Sequence, residues 1–297
     1  MAKQILIAGA SGFIGQYISK RFKEEGWTIK TIGRSDDLSW DDQEGIVAAL
    51  DKSAVVINLA GKSVNCRHTE ANKKEILESR VKTTTTMNEC IRQCSKPPEL
   101  WLNASGMSIY PRSIDQVCTE ESDTDKEGIF MAEVSKQWEA ALYQNDLPKT
   151  RRVALRTSVV LAKEGGSLAE LKRLSKLGLG GTVGSGKQMM SWVHLEDYFQ
   201  ILLWIITHKE ISAPVNVAAP NPVSNKHFMK ALRKALGVPF GLPAPEFAVK
   251  IGAQVIGTEA SLALDSYNVV SKVLEQTGYS FRFGTLEQAF VNFWPKK

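Results

Sequence analysis

Apolar residues along the chain fall into two alternating rhythms. Short unbroken runs, Ile5–Ala8, Ala54–Leu59 and Leu100–Ala104, have the continuity of strands buried on both faces, as in a parallel sheet. Thr28–Ile32, Arg152–Thr157 with its continuation to Leu161, and Pro214–Ala218 read as further strands. Between them the spacing becomes helical. Phe13, Ile14, Tyr17, Ile18 and Phe22 recur on one face up to Gly26, and a long polar helix is predicted from about Thr69 to Cys94. Phe130–Tyr143 is predicted as an amphipathic helix with Val134, Trp138, Ala141 and Leu142 inward. Further helices are predicted at Leu168–Lys176, at Glu196–His208, and from a capping Asn225 to Leu236. Pro239, Pro243 and Pro245 open a C-terminal segment of helical periodicity, in which Tyr279–Phe283 reads as extended. This alternation predicts an α/β fold, doubly wound on a parallel sheet. No solenoid repeat is present.

The first strand and helix meet at Gly9-Ala10-Ser11-Gly12-Phe13-Ile14-Gly15. Gly9 permits a tight turn, Gly12 lets backbone amides approach a pyrophosphate, and Gly15 lets the helix lie close to the strand. The spacing is GxxGxxG rather than GxGxxG, so the flanking strand and helix are what make it a dinucleotide site. The second strand ends in Gly33-Arg34-Ser35, where an acid would bind a ribose 2′-hydroxyl and an arginine accommodates a 2′-phosphate. Arg34, with Ser35 as a second donor, favours NADP(H); Asp36 and Asp37 read as a solvated loop. Leu59-Ala60-Gly61 ends the third strand with small residues suited to the ligand crevice. Ser105 ends the fourth, either to hold a substrate carbonyl or to cap a turn. Arg80 either faces the site or belongs to the surface charge of the long helix. Five glycines between positions 178 and 186 suggest a lid or a ligand-approach loop. Gln188 after Lys187 breaks the Gly-Lys-Ser/Thr ending of a triphosphatase loop.

Composition narrows the class further. No apolar run approaches the length of a membrane span, so no membrane partner is predicted. Cys66, Cys90, Cys94 and Cys118 fit no metal spacing, and His68, His194, His208 and His227 are scattered, so no metal is predicted. The net charge of +5 is dispersed without interleaved aromatics, which argues against nucleic acid and leaves a small molecule as the partner. Met-Ala-Lys-Gln enters the first strand at once, from which a cytoplasmic protein is expected.

Several longer stretches then carry a resemblance. They are Gly9–Gly15, Asn58-Leu-Ala-Gly61, Ser79-Arg-Val-Lys-Thr83, Arg156-Thr-Ser-Val-Val-Leu161, Gly178-Leu-Gly-Gly181, Gly184-Ser-Gly186, Ser191-Trp-Val-His194, Asn216–Val223 and Gly278-Tyr-Ser-Phe281. Together they resemble the extended short-chain dehydrogenase/reductases, the NAD(P)-dependent epimerase/dehydratase-like proteins. Within these the likeness is to a sugar-nucleotide-epimerase-like branch with a small C-terminal domain. The resemblance implies a Rossmann-type, seven-stranded doubly wound parallel sheet binding NADP(H), with a smaller C-terminal substrate lobe. Residues 1–222 would form the cofactor domain, 158–192 contributing to the substrate lobe, and 223–297 a small mainly helical lobe. Cofactor contacts are expected from Gly9, Ser11, Gly12, Phe13, Ile14, Gly15, Arg34, Ser35, Leu59, Ala60 and Gly61. The nicotinamide would meet Ser105 and Arg156–Val159, with substrate entering between Ser105, Tyr110, the 178–186 loop and Trp192.

The chain departs from the family in its chemistry. Ordinary members use a Ser/Thr with a Tyr-x-x-x-Lys helix, the lysine lowering the tyrosine pKa so that the phenol exchanges a proton with substrate. Ser105 matches the serine, but no tyrosine here has a lysine four residues later. Counting back four from Lys136 reaches Ala132, with Met131 and Glu133 on either side. Three accounts follow. An oxidoreductase or epimerase of a small carbonyl, hydroxyl or nucleotide-sugar substrate would use Glu133 or Tyr110 instead, Glu133 needing a carboxyl pKa raised by burial. A catalytically silent NADP(H)-binding protein would act as redox sensor or partner-binding module. In a third, the substrate supplies its own acid or base. The first is preferred, because a developed cleft usually hosts chemistry.

Overall fold

The computed structural model describes residues 3–34 and 36–295. In chain order the strands are β1 (Gln4–Ala8), β2 (Thr28–Ile32), β3 (Ser53–Asn58), β4 (Leu100–Gly106), β5 (Arg151–Thr157), β6 (Val159–Leu161), β7 (Met189–Met190), β8 (Trp192–His194), β9 (Val215–Val217) and β10 (Val223–Ser224). The helices are α1 (Phe13–Glu24), α2 (Gln43–Leu50), α3 (Glu70–Gln93), α4 (Phe130–Tyr143), α5 (Gly166–Lys176), α6 (Leu195–Thr207), α7 (Asn225–Leu236), α8 (Glu246–Ile256), α9 (Ser261–Leu264), α10 (Lys272–Gln276) and α11 (Leu286–Phe293).

Six strands form the central sheet in the order β2-β1-β3-β4-β5-β9, all neighbours parallel. The chain runs from β1 out to β2 and then back past β1 to β3. The carboxyl ends of β1 and β3 therefore flank a topological switch point, where open α/β sheets bind ligands. Alternate residues of β1 feed two cores. Ile5 and Ile7 pack with Ile18 and Phe22 of α1 and Phe199 and Leu202 of α6. Leu6 and Ala8 pack with Ile46 and Leu50 of α2, Met87 and Ile91 of α3, and Leu142 of α4. The unbroken apolar runs follow from burial on both faces. A third cluster, built on Trp192, Phe228 and Phe290, holds α7 and α11 against β8.

Three expectations need correction. No seventh strand joins the central sheet among the described residues: β6 pairs with β8 in a separate two-stranded sheet. The divergence begins at Ser158, whose backbone N–H (3.1 Å) and hydroxyl (2.7 Å) both donate to the Val217 carbonyl. Ser224, not Asn225, caps α7 by accepting from the His227 N–H. Asn225 is the first helical residue, and its side-chain oxygen accepts from the Val183 N–H at 2.9 Å. The extended reading of Tyr279–Phe283 fails at Arg282 and Phe283, which form a turn whose N–H groups donate to Asp197 at 2.8 and 2.9 Å.

Candidate cofactor and active site

The turn between β1 and α1 is shaped by what a side chain would strike. Gly9 has φ of 78°, and a Cβ there would lie 2.9 Å from the Leu59 carbonyl carbon. A Cβ on Gly15 would lie 2.2 Å from the Gly9 carbonyl oxygen, so the helix can approach the turn only with glycine at that position. Gly12, by contrast, faces open space apart from the Gly9 oxygen at 3.4 Å from its would-be Cβ. Gly12 is the N-cap of α1 and contributes no side-chain cap. The caps of α2, α3, α6, α7, α10 and α11 all accept a backbone N–H through a side chain. The first amides of α1 thus remain available to an anion, favoured there by the helix dipole. Ser11 is exposed beside them. Phe13 lies under Gly165 and Gly166, and Ile14 packs against the core.

Leu59, Ala60 and Gly61 form the opposite lip. Asn58, fully buried, fixes their course by accepting from the Ala60 N–H at 3.0 Å while donating to Asn103 and Thr84. Against Gly61 lies the guanidinium of Arg80, whose Cζ would be 3.1 Å from a Cβ at that position. Arg80 donates to the Lys62 and Ile76 carbonyls and stacks over Trp138, 5.0 Å from the ring centroid. No carboxylate among the described residues forms an ion pair with it. Burial pulls its pKa down to about 10. The helical pattern alone left its orientation open; contact with the strand-end glycine resolves it.

Arg34 is exposed at the tip after β2. Asp37 is drawn back, accepting from the Thr31 N–H and hydroxyl at 2.9 and 3.0 Å, while Asp36 folds against Gly33. Ser35 lies outside the described residues. An uncapped helix terminus, a glycine cradle and two arginines with no carboxylate partner among the described residues fit a phosphorylated dinucleotide.

The expected catalytic residues do not converge. Ser105 donates its hydroxyl to Glu139 at 2.7 Å and is 5% exposed. Tyr110 is fully buried; its hydroxyl donates to Asn216 and accepts from Arg156, both at 2.8 Å. Burial raises its pKa, against the pull of the Arg156 charge. Glu133 pairs with Lys136 at 2.7 Å on the outer side of α4. The helix register explains why the count from Lys136 leads away from the site. Ser135 and Glu139 share one face, Ser135 meeting Ser108 at 3.1 Å and Glu139 meeting Ser105. A Cβ on Gly106 would lie 3.2 Å from the Ser135 hydroxyl. A Tyr-x-x-x-Lys pair facing the end of β4 would therefore occupy positions 131 and 135, held here by methionine and serine. The Gly178–Gly186 loop is pinned to the 242–244 segment by four backbone hydrogen bonds, including Gly181 N–H to Leu242 and Gly184 N–H to Ala244.

The fold and this glycine cradle define a dinucleotide-binding protein of the doubly wound class. The chain belongs to the NAD dependent epimerase/dehydratase family, whose sequence profile matches residues 5–218. Residues 244–293 match a second profile, a domain of unknown function, DUF1731. Over 298 residues the chain is 32% identical to mouse Epimerase family protein SDR39U1, covering 96% of this chain and 98% of that one. It is 30% identical over 296 residues to Epimerase family protein SA0724 of Staphylococcus aureus, 97% of each chain. The crystal structure of human epimerase family protein SDR39U1 with NADPH superposes with a TM-score of 0.90 at 28% identity, over 99% of this chain and 100% of that one. No helix among the described residues is long and apolar enough to cross a membrane.

Proposed function

We propose that the chain is an NADP(H)-binding oxidoreductase or epimerase acting on a small hydroxyl or carbonyl compound, without the family's phenol-and-lysine pair. The observation that carries this reading is the uncapped α1 terminus beside the unpaired Arg80. Gly9–Gly15 would hold the pyrophosphate, Arg34 the 2′-phosphate, and Arg80 the anionic or ribose portion passing Gly61. The human relative crystallised with NADPH supports the same cofactor. Bound nicotinamide would supply the redox chemistry; the protein's part is to orient the substrate and manage its proton. Ser108 and Ser135 stand beside Gly106, and because both hydroxyls donate to the Met131 carbonyl they would meet a substrate hydroxyl as acceptors. Ser105 and Tyr110 are better read as positioning residues, since both are tied to the buried Glu139–Arg156 ion pair. The same reading assigns residues 1–222 to the cofactor and 223–297, with 158–192, to the substrate lobe.

Met131 and Ser135 also support a second reading, a silent NADP(H)-binding sensor. Titration of nicotinamide fluorescence with NADPH and NADH, followed by a panel of carbonyl compounds, separates the two. Tight NADPH binding with substrate-dependent oxidation supports the enzyme, and binding without oxidation of any compound favours the sensor. Arg34→Ala should weaken NADPH far more than NADH. Glu133→Gln should leave turnover intact; its loss would return Glu133 to the role of acid.

A further inference from the structure

Helix α8 turns its apolar side outward. Ala253 is its one buried residue, and Phe247, Ile251 and Val255 lie on the opposite face, 67%, 58% and 79% exposed. A surface helix ordinarily turns such a stripe to the core. The chain leading into α8 continues the pattern, with Leu177 and Leu179 on one segment and Phe240 and Leu242 on another, each at least half exposed. These two segments are held side by side. The Leu242 N–H donates to the Gly178 carbonyl at 2.8 Å, and a Cβ on Gly178 would lie 3.6 Å from the Phe240 ring. Of the thirteen large apolar side chains exposed among the described residues, nine fall within 177–179 and 240–262, a concentration that marks an interaction surface.

We infer that this face of the C-terminal lobe docks on an anionic lipid surface. Charge selects that occupant. Lys226, Lys230 and Lys234 recur every fourth residue along α7, all exposed, in a helix without an acidic residue. The nearby carboxylates are already engaged, Glu164 by Lys172, Glu170 by Arg173, Glu246 by Lys250 and Glu287 by His227. The three lysines form no ion pair among the described residues. Both ends of their ridge meet the loop that carries Leu177 and Leu179. Lys226 N–H donates to the Gly186 carbonyl at 3.0 Å, and Arg233, beside Lys234, donates to the Gly180 carbonyl at 2.6 Å.

Residues 162–190 and 223–260, which the fold joins through β7 and β10, hold ten Lys and Arg against four Glu. The whole chain has 37 Lys and Arg against 32 Asp and Glu, so the positive surplus, dispersed in sequence, gathers on this lobe. Lying on a membrane needs no spanning helix: an apolar face reaches the acyl boundary while lysines meet the headgroup phosphates. A second copy of the chain would bring two lysine ridges to one interface, where like charge opposes the contact.

Flotation of the full chain with vesicles tests this, using phosphatidylcholine alone and phosphatidylcholine mixed with phosphatidylglycerol. Expected is binding to the mixed vesicles, weak binding to the neutral ones, and release as salt rises. Lys230→Gln should weaken the binding by about fivefold, the loss expected for one cation near the surface. Ile251→Ser with Val255→Ser should weaken it at least as much at unchanged charge, with circular dichroism confirming the fold. Should that pair fail to fold, Val255→Ser alone, at the most exposed of these positions, takes its place. No binding to mixed vesicles at low salt overturns the inference, and so does equal binding to both compositions. Binding that the lysine variant weakens and the apolar variant leaves untouched overturns it too, because the α8 face then takes no part. A dimer by light scattering that the apolar substitutions dissociate would assign the face to a second copy instead.

Discussion

Glu139 and Arg156 meet in a two-pronged ion pair, Arg156 Nε to Oε1 at 2.9 Å and Nη2 to Oε2 at 2.8 Å. Their side chains are 11% and 8% exposed. Burial opposes the Arg156 charge, but the hydrogen bonds and charge of Glu139 outweigh it, and its pKa is raised. From this pair a continuous hydrogen-bonded path leads to Ser105 on one side and through Tyr110 and Asn216 to the half-buried Glu120 and on to Ser271 on the other. The end of β4 is thereby tied to the segment that begins α10.

Removing one partner leaves the other charged and buried. Glu139→Ala is expected to cost about 3–5 kcal/mol in urea unfolding, more than a surface ion pair could. The double variant Glu139→Leu, Arg156→Met should recover much of that loss, because it buries no lone charge. A single-variant loss below about 1 kcal/mol would mean that the pair does not hold the strand ends together.

The glycine turn gives two substitutions with opposite outcomes. Gly15→Ala forces a methyl to within 2.2 Å of the Gly9 carbonyl oxygen, so it should destabilise the fold and abolish NADPH binding together. Gly12→Ala meets only one atom, at 3.4 Å, and has no positive φ. It should change thermal stability little while filling the space over the α1 amides, so NADPH binding falls with the fold intact. Loss of stability in Gly12→Ala equal to that in Gly15→Ala would remove the distinction between packing and cradle.

The cradle and the sheet were legible because both rest on local rules. Apolar runs of strand length and glycines at a strand-to-helix turn carry their geometry with them. The register of α4 was not legible. Lys136 offered a charged landmark, but the face toward β4 is set by Glu139, whose reason for being buried is Arg156, distant in sequence. Tyr110 read as a possible acid because its sequence position is right; only the fold brings Arg156 and Asn216 to its hydroxyl. The departure of β6 from the sheet likewise depends on Val217, far beyond Ser158.

His194 makes the fold sensitive to acid. Its ring lies between Phe283 and Phe293, with centroids at 4.0 and 4.6 Å, and accepts the Glu196 N–H. Burial lowers its pKa from 6.5 to about 4, against smaller upward pulls from Asn292 and Glu196. The folded state thus binds fewer protons than the unfolded one between these values. His194 contributes stability that is fully present above pH 6.5 and is lost as pH falls toward 4, on the order of 3 kcal/mol. Urea unfolding across that range should show a shallower slope in His194→Leu than in the wild type. Parallel slopes would mean that the ring is already protonated in the fold.

Arg80 is the residue for which stability and binding should separate most clearly. A part-buried guanidinium without a carboxylate is a cost to the fold, partly offset by two carbonyl acceptors and the face of Trp138. Arg80→Met keeps the length and apolar contact while removing the charge. Its stability should stay within about 1 kcal/mol of wild type, or rise. NADPH binding should weaken by about tenfold or more, as expected for a lost charge-assisted contact. The salt dependence of NADPH affinity should also become shallower, since one cation fewer faces the ligand. If stability collapses and the affinity of the remaining folded protein is unchanged, Arg80 serves the packing of α3 against α4 and not the cofactor.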